Sequence, residues 1–568
     1  MSGNSRYSDY CRSRPLGALS EVLVRLHPQE RIDEFVAAGW WRDDPAWTWD
    51  ALFRERVTER VDATAVVDPA NREALLGTPP RRLSWTELDA EIDRFAGVLH
   101  RAGVGVDDVV GTQLANTVEL VVAYLACVRL GAIVSPFPMQ YREHELSTLA
   151  PVAGLRAFVT VSRFGDRSPA AEASSVGGFE VLTLDGPARF DTTPLPAPKR
   201  HPSDVVTLCW TSGTEATPKG VPRCANGWNV IGEGCAAAPA LTADDVILSP
   251  FPLVNMAGFG GVLVPWLLTG ATLVQHHPFD LPTFLGQIAH ERVTYTLAPP
   301  ALLTGMLRAP GLLDSADLSS LRVIGSGSAP LSGRLIREWR DRFGIEVTNF
   351  FGSNEGVPLI SDQHTVPDPD ARAAFFPWFG GPGLSWPNPT SAGVRTRLVD
   401  MGSGAEITAP GTPGELRVAG PTIFSGYWRG SAADPFDEQG FYRSGDVFEI
   451  APEDPTMLRY VDRARDLVVR GGTNISPAEI EALLLAHPAV ADAAVVGYPD
   501  DVLGERVAAV VVPSSGVPSP TLDELVAALR AEKIASYKLP ERLEIVDALP
   551  RNPVGKILKR DLRERLRG

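Results

Sequence analysis

The sequence predicts an α/β protein. A large N-terminal domain of mixed and parallel sheets flanked by helices carries a small β-rich subdomain, and a small α+β C-terminal domain follows. The first observation is an alternation of helical and extended runs from Ser84 onward, the pattern of βαβ units in a mostly parallel sheet. The second is a change of texture after about Pro382, where short extended runs at 394–399 and 414–418 are broken by Gly and Pro. The third is a further shift beyond Tyr460, to a helix at 477–485 and strands at 493–496 and 508–512. These place the large domain at 1–462, with 1–45 as a surface arm and about 382–462 as the β-rich subdomain, and the small domain at 463–568.

In order along the chain, residues 1–50 carry Trp40-Trp41 and Trp47-x-Trp49, tryptophans expected to pack on the main body. Ser84-x-x-Glu87 is a capping box, and Leu88, Ile92, Phe95 and Leu99 follow at helical spacing until Gly103 ends the element. A strand at 109–114, a helix at 118–130, Gly131 and a strand at 133–135 come next, and extended runs recur at 246–249, 294–298 and 321–325. Between Asp245 and Asp280 there is no Asp, Glu, Lys or Arg, a run long enough to mark a membrane span. Pro250, Pro252, Gly258, Gly260, Gly261, Pro265 and Gly270 punctuate it, so the expectation is a buried interior segment and no span.

Composition narrows the function. A net charge of -16 argues against nucleic-acid binding, which needs an excess of Lys and Arg over the phosphates. The five cysteines form no C-x-x-C pair, and the polar start Met1-Ser2-Gly3-Asn4-Ser5-Arg6 has no apolar signal core; a reducing, cytoplasmic setting is expected.

The stretch that organises the chain is Thr211-Ser212-Gly213-Thr214-Glu215-Ala216-Thr217-Pro218-Lys219-Gly220, entered from an extended run at 205–210. Small residues let backbone N–H groups approach an anion, the hydroxyls add donors, and Lys219 adds a mobile charge. It is not the P-loop, whose lysine is followed by Ser or Thr. By itself the stretch is either a phosphate cradle or a plain turn.

Further motifs follow in one order: Phe351-Gly352-Ser353-Asn354-Glu355, Gly414-Glu415-Leu416, Gly426-Tyr427-Trp428, Tyr442-Arg443-Ser444-Gly445-Asp446, Asp462-Arg463-x-Arg465-Asp466, Gly471-Gly472-x-Asn474, and Pro550-Arg551-Asn552-x-x-Gly555-Lys556. Together with the cradle they resemble the adenylate-forming superfamily of acyl- and aryl-CoA synthetases, peptide-synthetase adenylation domains and luciferases, from about Trp40 to the C-terminus.

The resemblance implies that ATP and a carboxylic acid form an acyl-adenylate, whose acyl group passes to CoA or to a carrier-protein thiol. It implies Mg2+ as the metal and a monomer or homodimer. Lys556 looks like the catalytic lysine on a mobile C-terminal domain, and Glu355 like the magnesium ligand, with Thr214 beside the same ion. Thr211, Ser212, Gly213, Lys219, Ser328, Ala329, Phe351, Gly352, Ser353, Asn354, Asp446 and Arg463 would bind the nucleotide, Asp446 at the ribose. Arg465 occupies the hinge position, and Gly471 and Gly472 would flank the CoA channel. The acyl pocket would draw on Asn255, Met256, Phe259, Ala298, Gly325 and Gly327. Asn255, where the family often has His or an aromatic, would contact a polar group of the acid or hydrogen-bond local backbone. Glu215-Ala216, Asn354 and Asp462 depart from the family's usual Thr-Gly, Thr and Gly.

Overall fold

The structure, a computed structural model, describes residues 25–187, 195, 197–211, 218–430, 432–470, 473–500, 502–551 and 557–567. One mostly parallel sheet has the order Pro358–Ser361, Glu346–Gly352, Val323–Gly327, Tyr295–Leu297, Val246–Ser249, Thr272–Gln275, Thr64–Val67, Arg82–Ser84, antiparallel at its two edges. A second runs Glu180–Thr183, Leu155–Thr160, Val109–Thr112, Ile133–Pro136, Val205–Thr211, Lys219–Cys224, and its last pair is an antiparallel hairpin. The hairpin's connection is the cradle stretch.

Parallel strands need crossovers that cover their faces, so the helices here are apolar on the sheet side. Val118–Arg129 is buried at every position. Its two charges are neutralised inside the protein: Arg72 Nη1 lies 2.6 Å from Glu119 Oε2, and Arg129 pairs with Asp50, Asp89 and Asp93. The capping box is present at Ser84 and opens the helix Trp85–Arg101. In the N-terminal segment, Trp41 Nε1 donates to the Pro421 carbonyl and Trp49 Nε1 to Asn229 Oδ1, each at 3.0 Å.

The uncharged run forms the strand Val246–Ser249, a short helix Met256–Gly258, a π-helical stretch Phe259–Leu263, the helix Val264–Thr269 and the strand Thr272–Gln275. Among the described residues no helix is long and apolar enough to cross a membrane.

An antiparallel sheet follows, in the order Phe375–Pro377, Met457–Arg463, Tyr442–Ile450, Gly414–Ala419, Arg395–Val399, Glu406–Ile407. The last sheet is built on the hairpin Val490–Asp500/Gly504–Pro513. Its strands outrun the expected 493–496 and 508–512, because hydrophobicity marks only the buried middle while Tyr498 to Asp500 continue the pairing with polar partners. The tail helix Lys559–Arg567 buries Leu562 and Leu566 against the hairpin.

Two anchors join this region to the rest. The Asp462 carboxylate, buried at the end of Met457–Arg463, accepts from Ser476 Oγ (3.0 Å) and Ala478 N (2.9 Å) at the start of the helix Pro477–Leu485. The Ser476 hydroxyl also reaches the Val461 carbonyl at 2.7 Å. Arg308 contributes hydrogen bonds to the carbonyls of Leu485 and Val490.

Candidate active site

Thr211, Leu297, Gly327 and Gly352 are the last residues of their strands, and all line one cavity of about 540 Å³. Crevices beyond the carboxyl ends of strands are where open α/β sheets bind ligands. The lining is divided. Lys219, Glu355, Glu415, Arg443, Arg463 and Arg465 bring charge to one part, whereas Ile231, Cys235, Met256, Leu297, Phe350 and Val357 make another part apolar.

In the charged part, the Tyr427 hydroxyl donates to Glu355 Oε1 at 3.1 Å. The same tyrosine ring lies 5.2 Å from Lys219 Nζ, a cation–π contact. Lys219, at the exit of the cradle, and Glu355 are thus organised around one aromatic residue. Asn354 next door is a tie. Its Oδ1 accepts from Met256 N (2.8 Å), and its Nδ2 donates to the Trp210 carbonyl (3.2 Å), just before the cradle. Arg223 braces the Asn354 backbone from behind, donating to that carbonyl at 2.9 Å and to Gly227 O at 3.1 Å. Burial lowers its guanidinium to about 10. Gly356 is needed here, since at φ 107 an added Cβ would sit 1.9 Å from the Thr422 carbonyl oxygen.

Asp446 and Arg463 face each other in register on neighbouring strands, with Nε 2.5 Å from Oδ1. Asp446 is buried just beneath the wall, to which Ser444, Gly445 and Arg463 contribute directly. Burial alone would lower the Arg463 pKa, but Asp446, Tyr460, Glu355 and Tyr442 together outweigh it and the guanidinium is raised. Glu415 accepts from Gly445 N (3.3 Å) and holds this turn. Phe351 lines the cavity while packing edge-on to Phe448, ring centroids 5.0 Å apart. Ser328, on the rim, adopts a left-handed φ of 69°, a conformation that non-glycine residues rarely take outside functional loops. Ala329 is exposed beside it and outside the lining.

Asn255, Met256, Gly325 and Gly327 line the cavity, as do Gly352, Ser353 and the hinge candidate Arg465. Of the two readings of Asn255, a local hydrogen bond is present: Oδ1 accepts from Gly258 N at 3.2 Å. Phe259 and Ala298 lie elsewhere, which corrects their expected place in the acyl pocket. Phe259 is stacked in the core against Tyr124 and Trp228, and Ala298, one residue beyond the strand, is buried in a different hydrophobic cluster from Leu297. Ser212, Gly213, Thr214, Glu215, Gly471, Gly472 and Lys556 lie outside the described residues.

Tyr427, Glu415 and Arg223 carried no expected role. Tyr427 and Glu415 stand within quoted motifs, and that was their signal; Arg223 had none beyond following the cradle.

Two family models match, an AMP-binding enzyme model over residues 53–428 and an AMP-binding enzyme C-terminal domain model over 479–556. The chain belongs to the AMP-binding enzyme family. It is an AMP-forming enzyme of the acyl-CoA synthetase type. An indoleacetate–CoA ligase of Aromatoleum aromaticum is 32% identical over 525 residues, covering 89% of this chain and 98% of the relative. A pyochelin synthase, PchD, of Pseudomonas aeruginosa is 30% identical over 555 residues, covering 95% and 96%. The ATP-bound crystal structure of MatB from Rhodopseudomonas palustris superposes with a TM-score of 0.75 at 27% identity, over 91% of this chain and 98% of that one. In this AMP-binding enzyme, Asp446, Arg463 and Arg465 fall between the two family matches, and the C-terminal match ends on Lys556.

Proposed function

We propose that this enzyme is an acid–CoA ligase acting in two steps. A carboxylate oxygen of the acid attacks the α-phosphorus of ATP, the bond to pyrophosphate breaks, and an acyl-adenylate forms. A thiol then attacks the acyl carbon, AMP leaves, and the thiol proton is released. The observation that carries the reading is the divided cavity: groups suited to a nucleotide triphosphate and an apolar part suited to an acid line one cavity. Placing two anions in line is mainly positioning and charge neutralisation.

Within that reading, Lys219 and the cradle with Ser212, Gly213 and Thr214 hold the leaving phosphates. Asp446 accepts from the ribose hydroxyls while Arg463 fixes its carboxylate. Phe351 offers a face to the adenine, beside Ser328 and Ala329. Lys556, carried in by a pivot at Arg465, screens the reacting carboxylate and phosphate. The divisions at 463 and about 382 are proposed as the limits of the mobile domain and the β-rich subdomain.

Glu355 suits magnesium. It offers a hard oxygen donor, Tyr427 orients it, and no group of three or more metal-ligating side chains stands among the described residues. That is the sparse protein contribution magnesium takes when phosphates supply other oxygens. Bound there with Thr214, the ion would neutralise charge on the pyrophosphate.

A second reading is transfer to a carrier-protein thiol, which would use the same charged part of the cavity for the first step. Acid-dependent exchange of labelled pyrophosphate into ATP across a panel of carboxylic acids, followed by product analysis with CoA, separates the cases. Exchange with acyl-CoA formation supports the first; exchange without it supports the second; no exchange with any acid defeats both.

A further inference from the structure

The apolar part of the cavity ends on Leu297, the last residue of the strand Tyr295–Leu297 and itself part of the lining. Two glycines of the lining, Gly261 in the π-helical stretch and Gly325 on the neighbouring strand, take its side chain between them. A Cβ built on Gly261 would lie 3.1 Å from Leu297 Cδ1, and one built on Gly325 would lie 2.4 Å from Leu297 Cδ2 and 2.8 Å from Phe350 Cε2. The leucine is thus seated directly on backbone at both sides. At the next residue, a Cβ on Gly260 would meet Ile231 Cγ2 and Met256 Sδ, each at 3.0 Å. Ile231, Met256 and Phe350 are lining residues too, and behind Leu297 the same core cluster continues through Phe259 and Val262. The end wall is close-packed. It is also uncharged. The segments 231–261 and 297–350 bring no Asp, Glu, Lys or Arg to the lining, and Glu233, on the helix that carries Ile231, pairs with Arg42 instead. The Cys235 thiol in this wall is pushed up to about 12 by burial and stays neutral.

We infer, resting on the adenylation reading above, that Leu297 is a specificity-determining residue that ends the acid site, and that the substrate is a compact acid whose only charge is its carboxylate. The class is a short-chain aliphatic or single-ring monocarboxylic acid. Length follows from the wall, because a chain running past Leu297 would have to displace that side chain or the backbone of Gly261 or Gly325. Forcing extra carbon into packed core is destabilising. The space is shared as well, since a cavity of about 540 Å³ takes ATP together with the acid. Charge follows from the lining. The ionised side chains come from Lys219, Glu355 and the segments 415–465, and none comes from the segments around Leu297. A second carboxylate or an ammonium group at that end would be desolvated without a counter-charge, whereas hydrocarbon gains by leaving water.

The test uses the full-length protein and acid-dependent pyrophosphate exchange. Two trios hold length and vary the far end: hexanoic, hexanedioic and 6-aminohexanoic acids, and 4-methylbenzoic, terephthalic and 4-(aminomethyl)benzoic acids. Two series vary length: straight-chain acids from butanoic to hexadecanoic, and 4-alkylbenzoic acids from methyl to octyl. In at least one trio the uncharged member is expected to exceed both charged partners in kcat/KM by about a hundredfold. Each series that supports exchange is expected to peak at octanoic acid or shorter, or at 4-butylbenzoic acid or shorter. Leu297→Ala removes three carbons from the end wall. It is expected to move the peak to longer acids, which gain about tenfold over the shorter ones, with KM for ATP unchanged. An uncharged preference below about tenfold in both trios, a peak at longer members in the unaltered enzyme, or a peak that Leu297→Ala does not move overturns the inference while leaving adenylation standing. Exchange with other acids of a broad panel and none in these sets overturns it too. Absence of exchange with every acid defeats the adenylation reading itself. Should Leu297→Ala fail to fold, Leu297→Val, which removes one carbon, takes its place with a smaller shift in the same direction.

Discussion

The two ends of the cavity are built by different means. At the charged end, named groups are held by other named groups: Tyr427 on Glu355 and Lys219, Arg463 on Asp446, Glu415 on Gly445. At the apolar end, the wall is ordinary core, with Gly325 packed so closely by Leu297, Tyr295 and Phe350 that it leaves no room for a side chain. The first design fixes a chemistry. The second fixes a shape, which can change without touching the chemistry.

That contrast makes a sharp expectation. Substitutions at the charged end should depress every acid alike, and those at the apolar end should separate acids from one another. The largest effect is expected for Lys556→Ala, a loss of about 10³-fold in pyrophosphate exchange, with thioester formation from supplied acyl-adenylate retained; equal loss of both steps would remove the case for a pivoting lysine. Glu355→Gln should cost about 10²-fold and raise the magnesium concentration needed for half-maximal rate. Asp446→Asn leaves Arg463 without its partner, and about a tenfold rise in KM for ATP is expected, read at fixed saturating acid. Tyr427→Phe removes one hydrogen bond to a carboxylate. About a fivefold loss is expected, the same for every acid in the panel.

The smallest expected effect tests the boundary between the ends. Asn255 touches the cavity, but its oxygen caps Gly258. Asn255→Ala should therefore cost about 1 kcal/mol of stability in thermal unfolding, as the loss of a cap does, and should lower hydroxylated and plain acids equally. A selective loss for hydroxylated acids would show that Asn255 also contacts a polar group of the acid.

The same contrast explains what could be read before the fold was known. A phosphate, a metal and a ribose require particular functional groups, so Lys219, Glu355 and Asp446 stand out in ordered motifs. Their supports are less visible: Tyr427 lies in a quoted motif, but its reach to Glu355, 72 positions earlier, exists only once the chain has folded back. The apolar end has no such vocabulary. Leu297 and Ala298 are adjacent and equally apolar, and only the folded backbone decides which faces the cavity. Asn354 and Asp462, departures from the family pattern, also became intelligible only in three dimensions, as ties between segments far apart in sequence.

Asp462 has a consequence for the order of events. Its carboxylate bonds Ser476 Oγ and Ala478 N across the stretch that contains Arg465. If the C-terminal region turns about Arg465 between the two steps, that buried carboxylate must surrender both bonds before any rotation begins. The residue then behaves as a catch: it sets how long the enzyme dwells in this arrangement, independently of what occupies the cavity. Replacing it with the family's glycine would shorten the dwell and shift which step limits turnover, a change visible in pre-steady-state kinetics and silent in equilibrium binding of ATP.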